Sequence, residues 1–165
     1  GPGLDASTDM GPLVSEEQFE RVTSFLASGS KEGAKAVCGG NRFGDKGYFV
    51  EPTVLTNTRE DMKVVREEIF GPVVVAEPFT DVEKVLPMAN NTDYGLANSV
   101  WSSDLARCKR VASQFETGNG WINSHNVVVH GVPYAGVKKS GMGGGVVSLE
   151  TLLDYYRNIS VIRPL

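Results

Sequence analysis

The chain has 165 residues, 41% of them hydrophobic and 22% charged, with a formal net charge of −4. Such a composition is ordinary for a globular protein, and the length suits a single domain. The acidic balance provides no basic footprint for nucleic acid, no 18-residue apolar run is long enough to span a bilayer, and no charged start leads into an apolar core as a signal peptide requires. Neither nucleic acid nor a membrane is an expected partner. The two cysteines, Cys38 and Cys108, are too few for a disulfide framework and have no metal-ligand spacing, which favours a reducing, cytoplasmic setting. His125 and His130 cannot build a transition-metal site without carboxylate help, so no metal site is expected.

In chain order, Gly1–Ser15 is rich in glycine, proline and turn formers and reads as surface loop. Ser15 and Gln18 form a capping box, and Phe19, Val22, Phe25 and Leu26 recur at helical spacing, which predicts a helix to about Ala27. Ala34–Cys38 reads as a short apolar strand, and Phe49–Leu55 as a second in which Pro52 suggests an edge or bulge. After Glu67-Glu68-Ile69-Phe70 and a Gly71-Pro72 break, Val73–Phe79 reads as a buried parallel strand.

Thr80 and Glu83 form a second capping box before Val82, Val85, Leu86 and Ala89, and Pro87 predicts a kink or an early end to that helix. Ala97–Trp101 is an expected strand. Asp104–Glu116 is an expected helix, with Leu105, Cys108, Val111, Ala112 and Phe115 inward. Gly120–Asn123 is a strand, Leu149–Arg157 a last helix and Ile159–Ile162 a terminal strand. This alternation predicts a three-layer α/β domain whose mostly parallel sheet is flanked by helices.

Four places bear on chemistry. Glu67 and Glu68 beside Phe70 set an acidic group next to an aromatic at a strand entrance. A carboxylate there can accept from two vicinal ribose hydroxyls, as in many dinucleotide sites, although a solvated acidic turn fits the same residues. His125 lies in the loop Ser124–Gly131 with no neighbour in sequence to orient it, so it is not expected to be a base. The glycines of Ser140–Gly145 follow no strand closely and lack the Lys-Ser/Thr of a phosphate loop. Neither cysteine has the setting of a nucleophile, and both read as small buried hydrophobes.

Taken in order, GYFVEPTVL (Gly47–Leu55), EEIFGPVV (Glu67–Val74), NNTDYGLANSVW (Asn90–Trp101) and VPYAGVKKSG (Val132–Gly141) resemble the C-terminal part of the catalytic domain of NAD(P)-dependent aldehyde dehydrogenases. The resemblance runs from Gly1 to nearly Leu165. It implies that Glu68 holds the ribose of NAD or NADP, that Phe70 gives apolar surface beside the nicotinamide, and that His125, Val128 and Tyr134 wall the aldehyde tunnel. It implies oxidation of a small-molecule aldehyde to a carboxylic acid through a cysteine thiohemiacetal and thioester. That cysteine, its glutamate base and the Rossmann-like cofactor domain lie N-terminal to these residues. No catalytic residue is therefore expected within the chain, which is expected to be an inactive fragment.

The same resemblance implies a partial catalytic domain over residues 1–148. Residues 149–165 would then form a C-terminal helix and an oligomerisation strand that builds a homo-oligomer. Gly144 stands where such enzymes usually have arginine, and Ala135 where a second glycine is common. A non-catalytic nucleotide-binding or oligomerisation module is the alternative.

Overall fold

The computed structural model describes residues 1–163, except for the side chain of Glu150. It divides into two compact units, Gly1–Thr80 and Asp81–Leu165.

The first unit is organised by helix α1, Glu16–Glu32. Ser15 caps it, its hydroxyl accepting from the Gln18 amide at 3.2 Å, while Glu16 and Glu17 place negative charge at the positive end of the helix dipole. Val22, Phe25, Leu26 and Gly29 form the buried face. The helix runs five residues past the expected end. Ser28 bonds within it to Glu32, and Gly29 packs against Val64, so the weak helix formers there are held by tertiary contact. Gly33 then stops it in the left-handed conformation, φ 103°, where a side chain is disfavoured.

Beside α1 lies a three-stranded sheet of β1 (Lys35–Cys38), β2 (Thr53–Thr56) and β3 (Val73–Val75), in the order β1-β2-β3. β1 and β2 are antiparallel, with an irregularity between Ala36 and Cys38, and β2 and β3 are parallel, Thr53 facing Val73. A single turn, α2 (Lys63–Arg66), precedes the Glu67–Pro72 loop. The core joins Val22, Phe25 and Leu26 to Leu55, Met62, Val64 and Ile69. The expected strands are trimmed. Pro52 has no amide to donate, so regular pairing starts at Thr53, and β3 ends before Pro78 for the same reason.

The second unit opens with α3, Val82–Asn90. Its cap is Asp81, which accepts from the Glu83 amide at 3.0 Å, and not Thr80. Pro87 sits inside the helix without ending it. A two-residue strand β4 (Tyr94–Gly95) comes before β5 (Ala97–Val100), helix α4 (Leu105–Ala112) and β6 (Asn119–Ile122). β5 and β6 pair in parallel over four residues, so this stretch is one β-α-β unit. β4 pairs antiparallel with β7 (Val137–Lys138), and α5 (Leu149–Leu153) is the last helix described. Cys108 and Val111 of α4 are buried as expected, whereas Leu105 is 57% exposed.

One expectation is corrected. The structure is α/β, but in place of one mostly parallel sheet there are three small ones of mixed direction, with no closed barrel among the described residues. Among the described residues no strand exceeds four residues, and each finds only one or two neighbours, so layers of helix cannot flank a continuous sheet. Ile159–Ile162, expected as a strand that joins a neighbouring subunit, has no strand partner within the described chain. Ile159, Val161 and Ile162 are 79%, 90% and 89% exposed and pair with no described strand. A strand exists only through a partner's ladder of hydrogen bonds, and these residues have none within the described chain.

Candidate functional site

In the first unit, the loop Glu67–Pro72 is held by its backbone and presents its side chains. The Gln18 Nε2 donates to the carbonyls of Ile69 at 3.2 Å and Phe70 at 2.7 Å. One turn along α1, the Arg21 Nη2 donates to the Glu68 carbonyl at 2.9 Å. Ile69 is buried, while Gly71 lies so close to α1 that a Cβ there would stand 2.6 Å from a Val22 methyl. The Thr53 amide donates to Pro72 at 2.8 Å, which joins the loop to the sheet.

Phe70 has φ 56°, the left-handed region that few non-glycine residues adopt, and its side chain is 71% exposed. The Glu68 residue is half-buried, and its carboxylate makes no hydrogen bond or ion pair among the described residues. An unpaired carboxylate beside an outward aromatic fits a sugar diol next to an apolar ring. Glu67 is exposed.

The second unit contains a cleft of about 340 Å³ against β6 and the loop after it. Trp121, Val127, Val128, Val129, Pro133 and Tyr134 give it an apolar wall, and Asn119 and Ser124 are polar points on its lining. The Trp121 indole donates to the Val127 carbonyl at 2.9 Å, which pins the valine loop, and its ring lies 6.3 Å from that of Tyr134. No charged side chain lines the cleft.

Of the expected wall residues, Val128 and Tyr134 lie in this lining. His125 does not, but packs edge-on against Trp121 with ring centroids 5.3 Å apart. Glu68 and Phe70 share the other unit's loop. Gln18 and Arg21 were not legible as loop anchors, because Gln18 reads as a capping-box residue and its partners lie 51 and 52 residues away. In sequence Trp121 reads as a strand residue and Val127 and Val129 as loop residues. Their shared apolar character next to Val128 was the available signal.

Cys108 is buried, as expected, but Cys38 is exposed, on the edge strand β1, all four of whose residues are exposed. Among the described residues there is no cluster of three or more histidine, cysteine, aspartate or glutamate side chains able to hold a metal ion. Among the described residues no helix is long and apolar enough to cross a membrane. Lys139 has its pKa raised, first by its hydrogen bond to Asp93 at 2.6 Å, which lies outside the cleft lining.

Residues 1–162 match the aldehyde dehydrogenase family. The chain is 44% identical to betaine aldehyde dehydrogenase of Brucella anthropi over 155 residues, which cover 90% of this chain and 32% of that protein. The NAD+ complex of an aldehyde dehydrogenase from Bacillus cereus superposes with a TM-score of 0.86 at 46% identity, over 91% of this chain and 31% of that one. A betaine aldehyde dehydrogenase from Staphylococcus aureus, solved with NAD+ and a BME-modified cysteine, gives 0.89 at 38% identity over 94% and 32%. In that structure a proline and the tyrosine after it were replaced together. The cysteine is at position 289 and the proline at 449 of its chain, 160 positions apart. The chain spans about a third of the length of the curated relatives it matches. It belongs to the aldehyde dehydrogenase family.

Proposed function

We propose that these residues are the cofactor-ribose and substrate-wall portion of an NAD- or NADP-dependent aldehyde dehydrogenase that oxidises a small aldehyde to a carboxylic acid. The observation that carries this reading is the Glu67–Pro72 loop, which presents an unpaired carboxylate beside an exposed phenyl ring while its carbonyls are tied down. Bound there, NAD(P) would supply the hydride acceptor. Glu68 would accept from its ribose hydroxyls and Phe70 would cover one side of the nicotinamide. His125, Val128 and Tyr134 would shape the aldehyde's path, Val128 and Tyr134 directly and His125 by bracing Trp121.

The nucleophile lies outside these residues. This chain has one Pro-Tyr pair, Pro133-Tyr134, and it borders the cleft. If it corresponds to the pair replaced in the Staphylococcus enzyme, a cysteine at the same spacing falls a few tens of residues before Gly1. These residues then follow the nucleophile in the parent protein, where Ile159–Ile162 would pair as a strand with another copy. A cytoplasmic location accords with two unpaired cysteines.

The test compares the purified 165 residues with the parent enzyme. The chain alone should form no NADH from an aldehyde, and Glu68→Gln in the parent should raise KM for the dinucleotide about tenfold, the loss of a charged acceptor. NADH formation by the chain, or an unchanged KM in the variant, would refute the reading.

A further inference from the structure

We infer that the cleft of the second unit takes the body of an uncharged, alkyl-chain aldehyde and discriminates against a charged one. This rests on the reading of Val128 and Tyr134 as substrate wall. It follows from what the side chains of the lining have left to offer a ligand once their own hydrogen bonds are made.

The polar groups are largely engaged. Asn119 is buried, and its Nδ2 donates to the carbonyls of Leu96 at 2.8 Å and Ala135 at 2.9 Å. The Ser124 hydroxyl donates to the Ile122 carbonyl at 3.4 Å, and the Trp121 indole to that of Val127 at 2.9 Å. What remains on the lining is neutral, the Tyr134 hydroxyl and backbone dipoles, with no carboxylate, ammonium or guanidinium.

The apolar surface is in the opposite state. Val127, Val128 and Val129 are each about half exposed, side by side on the lining. The loop that carries them is pinned. Gly131 donates to the Val147 carbonyl at 2.7 Å, and Tyr134 and Val146 exchange two backbone bonds of 3.2 Å. The Trp121 bond to Val127 holds the other side. An alkyl body that covers these valines removes apolar surface from water at little ordering cost. A quaternary ammonium would give up hydration with no anion to replace it. Aromatic faces can draw a cation, but Trp121 already meets His125 at 5.3 Å and Tyr134 at 6.3 Å.

The experiment uses the intact parent enzyme at saturating NAD+. Betaine aldehyde and tert-butylacetaldehyde share one shape and differ by a single charge, so their kcat/KM values isolate that charge. The neutral aldehyde should be preferred about tenfold or more. From propanal to hexanal, kcat/KM should rise about fourfold per methylene until the cleft is filled. The matching unreactive amides, as inhibitors, should rank in the same order, which separates binding from carbonyl reactivity. Val128→Asp should narrow or reverse the neutral preference, with Val129→Asp in its place if the first folds poorly, and Val128→Leu should keep it.

Equal or better use of betaine aldehyde by the unaltered enzyme would overturn the inference and leave the aldehyde dehydrogenase reading standing. A kcat/KM independent of chain length, or amides ranked in the opposite order, would do the same. Aspartate variants with unaltered kcat/KM for both aldehydes would overturn the substrate-wall reading and the inference with it. The cofactor reading is judged apart, by KM for the dinucleotide in Glu68→Gln.

Discussion

Gly71 shows how one missing carbon decides a loop. A Cβ at that position would lie 2.6 Å and 3.0 Å from the two methyls of Val22, which is fully buried in the core and cannot yield. Gly71→Ala should therefore destabilise the first unit by about 1–3 kcal/mol, the usual cost of forcing atoms into a packed interior, measured as a lower urea midpoint. An unshifted midpoint would show that the loop can lift without cost. The sequence signalled this place well, since EEIFGP marks an acidic pair, an aromatic and a break at once. It did not show why the glycine is there, because Val22 lies 49 residues earlier and sequence spacing does not report on such contacts.

At the scale of elements, local chemistry was legible wherever a helix caps itself. Ser15 is the N-cap that the capping-box pattern predicts, and Ser15→Ala should cost about 1 kcal/mol by thermal or urea unfolding, because the Gln18 amide loses its acceptor. Elsewhere the local signals misled by a residue or a turn. Asp81 outcompetes Thr80 as the cap of α3 because its carboxylate carries full charge at the helix start. Pro87 leaves α3 intact to Asn90, where the Asn90 side chain bonds to Gln114 and Glu116. Most expected strands are longer than the observed ones, although β6 keeps its four residues. An apolar β-branched run such as Val73–Phe79 states a preference, but a strand lasts only as far as its neighbour can pair, and β2 offers four residues.

For the molecule as a whole, the distribution of apolar surface is decisive. Among the described residues of the second unit, the apolar side chains that are buried are Leu86, Cys108 and Val111, while Trp101, Leu105, Leu149, Leu152 and Leu153 are exposed. Exposed apolar patches of this kind mark surfaces that meet other protein. The segment Ile159–Ile162 has the same character and, with its backbone unpaired, can add to a sheet edge of another copy. The purified chain should self-associate in sedimentation velocity as its concentration rises, and Val161→Asp should weaken that association. A monomer at every concentration would contradict the proposal.

The residues themselves determined the family, the acidic-aromatic loop and the order of helices and strands, because caps, breaks and apolar periods act over three or four positions and are written where they act. Tertiary structure alone decided that Gln18 and Arg21 hold that loop, that Trp121 joins the valines around a cleft, and that the strands fall into three small sheets. Each of these depends on groups brought together from distant parts of the chain, and hydrogen bonds and packing are set by distance in space, which residue spacing does not encode.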